Sequence, residues 1–592
     1  MGGMQRRDFL RTVALAGLAS APSIGQSPST AQSRRPNVVV ILADDQGWGD
    51  LSVHGNKNLK TPNIDSLARD GVLFERFFVC SVCAPTRAEF LTGRYHPRGG
   101  VRGVSRGAER LNLDELTIAN TFKAAGYATG CFGKWHSGTQ HPYHPNSRGF
   151  DEYYGFTSGH WGDYFEPELD HNGEIVKGKG FLADDLTNHA IAFIEEHQNA
   201  PFFCYLPLNT PHSPMQVPER FFEKFSGLDP ALRARDESQE SIPMTRAALA
   251  MCENIDWNVG RVLETISKRG LADNTIVLYF SDNGPNSWRW NDAMKGRKGS
   301  LDEGGLRVPC LMRWNGHIPA GKRIPQIAGA IDLLPTFAAL TGVPIVSKKP
   351  LDGRSLKPLL DGDGAAWPER TIYSMHNRRV SLRTQRYRLD PEGKLYDMVA
   401  DPMQDTDISA KQPELAAKLR ADAAAWSAEM LPFVGEDLRP CTVGYALNTL
   451  LPARDGNPHG GIQRSSRHPN CSFFRNWKSL DDEMTWEIEV GSAGRYEATV
   501  YYTCPEGQTG STVELGFAGN SVKGTITEAF DPPLEGAADD RVERDESYVK
   551  AFRPLVLGTF ALPRKSGTLR LRALRVAANE VGDIRQIALR RV

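Results

Sequence analysis

Short apolar runs alternate with amphipathic stretches over the first half of the chain. Four runs have the length and β-branched or aromatic content of buried strands: residues 37–43, 127–132, 202–206 and 275–280. Apolar positions at helical spacing predict four helices: residues 61–68, 114–125, 184–197 and 244–269. This alternation predicts an α/β domain with a mostly parallel central sheet flanked by helices.

Polar side chains follow each predicted strand at the point where it ends. They are the following residues: Asp44, Asp45, Lys134, His136, His212, Asp282 and Asn283. Because the carboxyl ends of parallel strands gather at one edge of a sheet, we expect these side chains to converge. Carboxylate and amide oxygens favour calcium or magnesium over zinc or copper. Taken alone, the adjacent aspartates are equally compatible with capping of a loop or helix.

A second candidate lies in the stretch that follows the apolar residues 72–79. Those residues are predicted to form a strand, and Pro85 is predicted to lie in the first turns of a helix. Cys83 then falls at the turn, where it meets the positive end of that helix. Cys80 and Cys83 are also spaced as a redox pair or half of a zinc site. A zinc site needs a second such pair, and the sequence has no other Cys-x-x-Cys.

The motif around Cys83 resembles the sulfatase signature. Cys-x-Pro-x-Arg at residues 83–87 is followed by Leu-Thr-Gly-Arg at residues 91–94, and the likeness extends over about residues 36–430. The resemblance implies that a maturation enzyme oxidises Cys83 to formylglycine. It also implies a divalent cation, usually calcium with magnesium as the alternative, held by these residues: Asp44, Asp45, Cys83, Asp282 and Asn283. Thr86 stands where many family members have serine. This difference concerns recognition by the maturation enzyme, and therefore the extent to which Cys83 is converted to formylglycine.

The resemblance further implies a mechanism. One hydroxyl of the hydrated aldehyde attacks sulfur, and deprotonation of the second then eliminates sulfate. Arg87, Lys134 and Lys298 are expected to offset the charge on the sulfate oxygens, Lys298 being preferred to the nearby Lys295. By the same resemblance, His136 assists elimination of sulfate. His212 is expected to act near the leaving-group oxygen.

The chain changes character after the α/β region. Three short strands are predicted at 371–376, 380–383 and 387–389. Residues 394–397 with 401–402 resemble the end of a sulfatase C-terminal subdomain, which is a small antiparallel sheet closed here by a helix at 412–429. Beyond it, period-two alternation predicts strands, with a turn at residues 491–494 between the first two: 486–490, 496–502, 512–517, 555–562, 568–576 and 584–590. We therefore expect an appended all-β sandwich that loosely resembles carbohydrate-binding jelly rolls. Arg570 and Arg572 would share its solvent face.

Composition bounds the remaining possibilities. A chain of 592 residues is too long for one core, which predicts these divisions: a signal and leader at 1–35, a catalytic domain at 36–370, its subdomain at 371–435 and the sandwich at 440–592. A formal net charge of −1 gives no reason to expect nucleic acid as a partner. The nine cysteines are scattered and odd in number, which argues against a disulfide framework.

The first residues have the pattern of an export signal. Arg6 and Arg7 precede an apolar run at residues 13–18, which resembles a twin-arginine signal and implies export to the periplasm or beyond. That run is far too short to span a bilayer, so we expect no stable membrane anchor.

Three functions compete at this point. The first is a sulfatase acting on a sulfated carbohydrate or an aryl sulfate. The second is a phosphate or phosphonate monoester hydrolase of the same fold, although such enzymes often use serine, threonine or two zinc ions. The third is a catalytically silent binding protein, which we rank last because the charged residues are all present.

Overall fold

The computed structural model describes residues 35–362, 364, 367–435 and 439–592. The predicted export signal falls on residues outside this range. Within the described part of the chain, no helix is long and apolar enough to cross a membrane.

A ten-stranded mixed sheet forms the centre of the α/β region, with a three-stranded sheet beside it. Their strands are β1 Asn37–Ala43, β2 Val72–Phe74, β3 Phe77–Phe78, β4 Ala128–Lys134, β5 Glu152–Phe156, β6 Glu168–His171, β7 Glu174–Lys177, β8 Phe202–Pro207, β9 Thr275–Ser281, β10 Arg307–Val308, β11 Cys310–Arg313, β12 Lys322–Ile324 and β13 Ala328–Gly329. The order in the large sheet is β12-β2-β11-β9-β1-β8-β4-β5-β6-β7. The five strands from β9 to β5 are parallel, and β6, β7 and β11 are antiparallel to their neighbours.

Helices cover both faces of this sheet. They are α1 Pro62–Arg69, α2 Cys83–Thr92, α3 Ile118–Ala124, α4 Leu182–Glu196, α5 Glu219–Phe222, α6 Ile242–Lys268, α7 Glu303–Leu306, α8 Leu333–Thr341 and α9 Lys357–Asp361. Successive residues of β1 enter different cores: Val39 and Ile41 pack on the side of α4 and α6, whereas Val38 and Val40 pack on the side of α3 and α8. Because β1 is buried on both faces, its sequence is a continuous apolar run.

Two predicted boundaries near Cys83 were wrong. The predicted strand at 72–79 is broken into β2 and β3, because Glu75 and Arg76 interrupt the apolar run and turn out of the sheet. Helix α2 begins at Cys83, two residues before Pro85. A proline three residues into a helix is tolerated, because the first backbone N–H groups have no intrahelical acceptor. Cys83 therefore lies at the first position of the helix and not in the preceding turn.

The C-terminal subdomain is an antiparallel sheet in the order β14 Ile372–His376, β15 Arg379–Arg383, β16 Tyr387–Leu389 and β17 Leu395–Asp397. Helix α10, Pro413–Met430, packs on it through Ala416 and Leu419. This matches the predicted antiparallel sheet closed by a helix, and β17 adds a fourth strand to the three that were predicted.

Two six-stranded sheets enclose a separate core in the last part of the chain, which we call the β domain. Their strands are β18 Cys441–Val443, β19 Asn448–Pro452, β20 Asn457–Pro458, β21 Gln463–Arg464, β22 Phe474–Arg475, β23 Glu483–Val490, β24 Gly494–Thr503, β25 Thr512–Phe517, β26 Asn520–Thr525, β27 Arg553–Leu562, β28 Ser566–Arg575 and β29 Asp583–Arg591. Trp477 and Trp486 are fully buried between the sheets. The fold class expected from the sequence is therefore confirmed.

The pairing of the β domain departs from simple hairpins. Strands β23 and β24 are joined by the turn at 491–494, yet β23 pairs with β28 in one sheet and β24 pairs with β27 and β29 in the other. The turn thus carries the chain from one layer of the sandwich to the other. Alternation of apolar residues identifies a half-buried strand but does not specify its partner.

Candidate active site

Strand order brings the polar strand ends together. Strand β1 lies between β8 and β9, and its last residue, Ala43, is level with Ser281 of β9. Asp44 donates its backbone N–H to the carbonyl of Thr210 at 3.0 Å, and Asp282 donates to the carbonyl of Ala43 at 3.2 Å. The residues that follow three strands are therefore fixed beside one another at the carboxyl edge of the sheet.

The carboxylates form the centre of this cluster. Asp44, Asp45, Asp282 and Asn283 are all buried, with at most 1% of each residue exposed. Asp45 has a backbone φ of +70°, a left-handed conformation that breaks the alternation of a strand. This lets two adjacent carboxylates serve one site, where ligand atoms of Asp44, Asp45 and His212 lie within 4.8 Å of one another.

Two oxygens of this cluster accept no hydrogen bond among the described residues, and Arg87 Nη2 lies 3.8 Å from one of them, Asp44 Oδ1. Asp44 Oδ1 and Asn283 Oδ1 are buried and make no hydrogen bond in the described part of the chain. Asp44, Cys83 and Asp282 also place their ligand atoms within 4.8 Å of one another. Buried acceptors are normally satisfied, so these oxygens have the character of cation ligands.

Three cationic side chains, two of them fully buried and one partly buried, surround the carboxylates. Lys134 Nζ lies 2.6 Å from Asp44 Oδ2, and Arg87 Nη2 lies 2.8 Å from Asp282 Oδ2. Lys298 Nζ lies 2.7 Å from Asp45 Oδ1, with 20% of its side chain exposed. Buried charges need such partners, since leaving one unpaired is strongly destabilising.

Lys295 occupies a different position. Its Nζ lies 3.5 Å from Asp302 and its side chain is 40% exposed, whereas Lys298 reaches Asp45. The structure therefore places Lys298, and not Lys295, in the cluster.

Cys83 is held by hydrogen bonds of the residues around it. The Thr86 hydroxyl donates to the Asp282 carbonyl at 2.5 Å and accepts the Cys80 N–H at 2.9 Å. The Gly299 N–H donates to the Ser81 carbonyl at 2.8 Å. Because the thiol is buried, its pKa is raised, although Lys134 and Lys298 act in the opposite direction.

The two predicted histidines differ in their surroundings. His212 Nδ1 is 2.6 Å from the Ser213 carbonyl, and its Nε2 lies 3.7 Å from Asp45 Oδ2. His136 Nε2 is 2.8 Å from the Val104 carbonyl, and its Nδ1 has no hydrogen-bond partner among the described residues. Burial and Lys134 lower the pKa of His136 well below its usual value.

Burial and charge set the protonation of the other groups. Burial lowers the pKa of His212 to about 4, although Asp45 opposes this shift. Burial raises the pKa of Asp45, but His212, Lys298 and Lys134 outweigh it and hold this pKa below the usual range. Burial and Asp44 raise the pKa of Asp282 to about 6. At neutral pH the neutral imidazoles of His136 and His212 thus lie among the ionised carboxylates of Asp45 and Asp282.

Sequence reasoning missed two groups of this site. His160 follows strand β5 and its ring stacks on His212, with centroids 5.9 Å apart. Arg289 donates to both oxygens of Asp50 and to the Asp45 carbonyl, and so supports the loop after β1. The strand-end pattern would have identified His160 if residues 152–156 had been recognised as a strand.

Trp161, Trp288, His376 and Arg378 lie outside the carboxylate cluster. Trp161 stacks on Phe156, with ring centroids 5.5 Å apart, and the Arg297 guanidinium lies 5.5 Å from the ring centroid of Trp288. His376 and Arg378 line a cavity with Pro85, His96, Arg102, Met375, Asn377 and Val434.

Helix α2 carries a second buried cluster behind the site. Ligand atoms of Cys80, Glu89 and His96 lie within 4.8 Å of one another. Glu89 is 6% exposed and accepts the His96 N–H at 3.2 Å. Because of its burial, the pKa of Glu89 is raised to about 8. This carboxyl group is therefore mostly protonated at neutral pH.

Comparison with known proteins identifies the family. The sulfatase family model matches residues 36–343, which is just over half of the chain, and the model of the C-terminal part of N-sulphoglucosamine sulphohydrolase matches residues 288–424. The chain belongs to the sulfatase family. This confirms the resemblance seen in the sequence and identifies the chain as a member of a family of sulfuric ester hydrolases.

Relatives and a solved structure extend this comparison. Human arylsulfatase A is 33% identical over 444 residues, covering 66% of this sulfatase and 83% of the human protein. Mouse N-acetylgalactosamine-6-sulfatase is 32% identical over 363 residues, covering 55% of this chain and 66% of the mouse protein. The crystal structure of Ps i-CgsB with k-i-k-neocarrahexaose matches with a TM-score of 0.60 and 31% identity, covering 67% of this chain and 93% of that one.

Proposed function

We propose that this sulfatase hydrolyses sulfate esters of carbohydrates, using formylglycine derived from Cys83 and one bound calcium ion. The observation that carries the proposal is the position of the Cys83 thiol, which shares a 4.8 Å cluster with Asp44 and Asp282 at the first residue of a helix. A nucleophile made at this position would lie beside both the carboxylates and the positive end of α2.

The donor atoms fit a hard cation. Three carboxylates and the Asn283 amide offer only oxygens at the centre of the cluster, and two of those oxygens have no hydrogen-bond donor among the described residues. We assign the ligands as Asp44, Asp45, Asp282, Asn283 and the oxidised Cys83, with magnesium as the alternative to calcium. When bound, the cation would offset charge on the sulfate group and polarise the nucleophile.

The buried cations are proposed to bind the sulfate group. Lys134 and Lys298 each have one carboxylate partner and further N–H donors, so they can also donate to sulfate oxygens. Arg87 is wholly buried and donates to Asp282 and to the Lys134 carbonyl, which makes it the residue that fixes Lys134 in place. Such preorganised donors stabilise the charge that develops in the transition state.

The neutral histidines are proposed to move protons. His212 is neutral at pH 7 and keeps its proton on Nδ1, which faces the Ser213 carbonyl, so it can donate to the leaving-group oxygen only after Nε2 has taken up a proton. His136 has a free Nδ1 atom, which we assign to deprotonation of the second hydroxyl at residue 83. Formylglycine itself would supply a hydrated aldehyde. One hydroxyl would attack sulfur and displace the alcohol, and loss of the proton of the other would re-form the aldehyde and release sulfate.

A sulfated saccharide is the substrate class we favour. Ps i-CgsB was solved with k-i-k-neocarrahexaose, and the mouse relative is an N-acetylgalactosamine-6-sulfatase. Arg570 and Arg572 lie on an exposed face of the β domain, as the alternation indicated, and pair there with Glu483 and Glu514. We propose that this face of the β domain binds an anionic polysaccharide.

The remaining proposals concern organisation and location. We retain the divisions at 1–35, 36–370, 371–435 and 440–592 as functional units. We also propose export through the twin-arginine-type signal to the periplasm or the exterior, after a formylglycine-generating enzyme has acted on Cys83.

One experiment separates this proposal from phosphate or phosphonate ester hydrolysis. The protein, produced with a formylglycine-generating enzyme, is assayed against sulfated mono-, oligo- and polysaccharides, 4-nitrophenyl sulfate and the matching phosphate and phosphonate esters. We expect turnover of sulfate esters together with an aldehyde at residue 83 by peptide mass spectrometry. Turnover confined to phosphate or phosphonate esters, or full sulfatase activity in the Cys83→Ala variant, would falsify the proposal.

A further inference from the structure

The β domain contacts both loops that flank the candidate active site. We define loop A as residues 157–164, after β5, and loop B as residues 209–217, after β8. In loop B, the Ser213 hydroxyl, adjacent to His212, donates to Glu546. Gln216 Nε2 donates to the Gly536 carbonyl at 2.9 Å and to Asp540 Oδ1 at 3.0 Å.

Loop A is held from the same side. Arg544 has a fully buried side chain that pairs with Asp540 and donates to the Gly162 carbonyl. Cys471 Sγ donates to the His160 carbonyl at 3.2 Å. The β domain thus fixes the backbone of both loops, a contact that the sequence did not predict.

One contact reaches an imidazole of the site. Asn470 of the β domain donates from Nδ2 to His160 Nδ1 at 3.2 Å. Burial and His212 keep the pKa of His160 well below its usual value, so the ring is neutral. A neutral imidazole that accepts at Nδ1 carries its proton at Nε2. Asn470 therefore determines which nitrogen of His160 is the donor.

The resulting N–H group has no acceptor. His160 Nε2 is buried and has no hydrogen-bond partner in the described part of the chain, and His160 as a whole is 5% exposed. The ring lies beside His212, near Lys134 and Lys298. A buried donor without a partner is unfavourable, and an anionic ligand bound among these groups would supply the acceptor.

Gly159 makes this approach possible. A Cβ atom at residue 159 would lie 2.6 Å from Asn470 Nδ2 and 2.7 Å from His136 Nε2. Glycine therefore lets a side chain of the β domain pack directly against the layer of histidines. A larger residue would displace one of the two polar groups.

We propose that His160 donates a hydrogen bond from Nε2 to an oxygen of the bound sulfate group, and that Asn470 is the positioning residue that fixes this tautomer. The proposal rests on the sulfatase function proposed above. It makes the β domain part of the substrate-binding site and not only a polymer-binding module.

The test compares variants that change the tautomer with variants that keep the donor. In Asn470→Asp the side chain can only accept, so the imidazole proton moves to Nδ1 and a lone pair faces the sulfate. We expect a loss in kcat/KM of about 10- to 100-fold for this variant and for His160→Ala, and a smaller loss for Asn470→Ala. His160→Gln keeps an amide donor near the Nε2 position and should retain most of the activity. Asn579→Asp, an exposed change in the same domain, is the matched control.

A double-mutant cycle separates positioning from a merely structural role. If Asn470 acts through His160, the effect of Asn470→Asp should disappear in the His160→Gln background. An undiminished effect in that background, or an Asn470→Asp variant with wild-type kcat and KM, overturns the proposal. If Asn470→Asp does not fold, the contrast between His160→Gln and His160→Ala still decides the role of the donor, and equal losses refute it.

Binding of inorganic sulfate tests the same contact without turnover. By calorimetry, Asn470→Asp and His160→Ala should weaken sulfate binding about 10-fold, and His160→Gln and Asn579→Asp should not. Suppose that the wild type and the variants bind sulfate as expected but the wild type hydrolyses no sulfate ester. The proposed sulfatase function is then refuted, whereas the proposed hydrogen bond from His160 to sulfate is supported. If the wild type hydrolyses sulfate esters and all variants bind and turn over equally, the contact alone is refuted. If the wild type neither binds nor hydrolyses, both fail.

Discussion

Replacing Glu89 by glutamine should make the enzyme more stable at alkaline pH. Glu89 lies on α2, the helix that begins at Cys83 and carries Arg87. It is buried beside Cys80 and His96, and its pKa is raised from 4.5 to about 8. The folded protein therefore retains the proton of Glu89 over a pH range in which the unfolded chain releases it. Glutamine keeps the acceptor for the His96 N–H and cannot ionise.

The size of the effect follows from linkage. A carboxyl group whose pKa is higher in the folded state contributes stability that is fully present below pH 4.5. That stability is lost as pH rises through about 8. One pKa unit corresponds to about 1.4 kcal/mol, so ionisation of Glu89 in the unfolded chain removes about 3 kcal/mol of folding stability between pH 5 and pH 8. In a protein of this size that is about 3 °C in Tm.

The measurement is the difference in unfolding free energy between Glu89→Gln and wild type at several pH values. This difference should increase by about 3 kcal/mol from pH 5 to pH 8 in favour of the variant. Glu264→Gln, an exposed change on α6, serves as control and should show little dependence on pH. A constant difference for Glu89→Gln across this range refutes the assigned protonation of Glu89.

Three further predictions concern the site and the β domain. Asp45→Asn should lower calcium affinity by calorimetry and sulfatase activity together, each by at least about 10-fold, because it removes a ligand charge. Thr86→Ala should lower stability by about 1–3 kcal/mol in denaturant unfolding, since it leaves the Cys80 N–H and the Asp282 carbonyl without the hydroxyl. Arg570→Ala with Arg572→Ala should weaken binding to a sulfated polysaccharide in a cosedimentation assay, with kcat for a small sulfate ester unchanged.

Each of these has an outcome that contradicts it. Activity of Asp45→Asn that is insensitive to a calcium chelator would exclude the assigned cation. For Thr86, the Thr86→Ser variant keeps the hydroxyl and should unfold like the wild type, so equal losses in both variants would show that the hydroxyl is irrelevant. If the variant that lacks both arginines binds the polymer as well as the wild type does, this face of the β domain takes no part in polymer binding.

The sequence predicted the parts of the site that depend on strand ends. Strands β1 and β9 are buried on both faces, so their apolar runs and the polar residues after them are visible without a structure. Parallel pairing then places Asp44 beside Asp282 whatever the details of the loops. This is why the carboxylate cluster and the α/β fold class followed from hydrophobic pattern.

Contacts between distant segments were not predictable in this way. Strand β5 was missed because its alternation is weak, and His160 was missed with it. The hydrogen bond from Asn470 joins residues 310 positions apart, and nothing in the local sequence of the β domain distinguishes this asparagine from others on its surface. The predicted start of helix α2 was wrong for a local reason. A proline can occupy the third position of a helix, so the helix can begin two residues before Pro85.

The burial of α2 limits when the proposed modification of Cys83 could take place. All ten residues of this helix are buried, and Cys83 is 3% exposed. A modifying enzyme that must bind the peptide around Cys83 can reach it only while this part of the nascent chain is unfolded. The proposed oxidation of Cys83 would therefore compete in time with closure of the α/β core. A fast-folding variant would be expected to leave the ribosome with more of its cysteine unconverted, however stable its final structure.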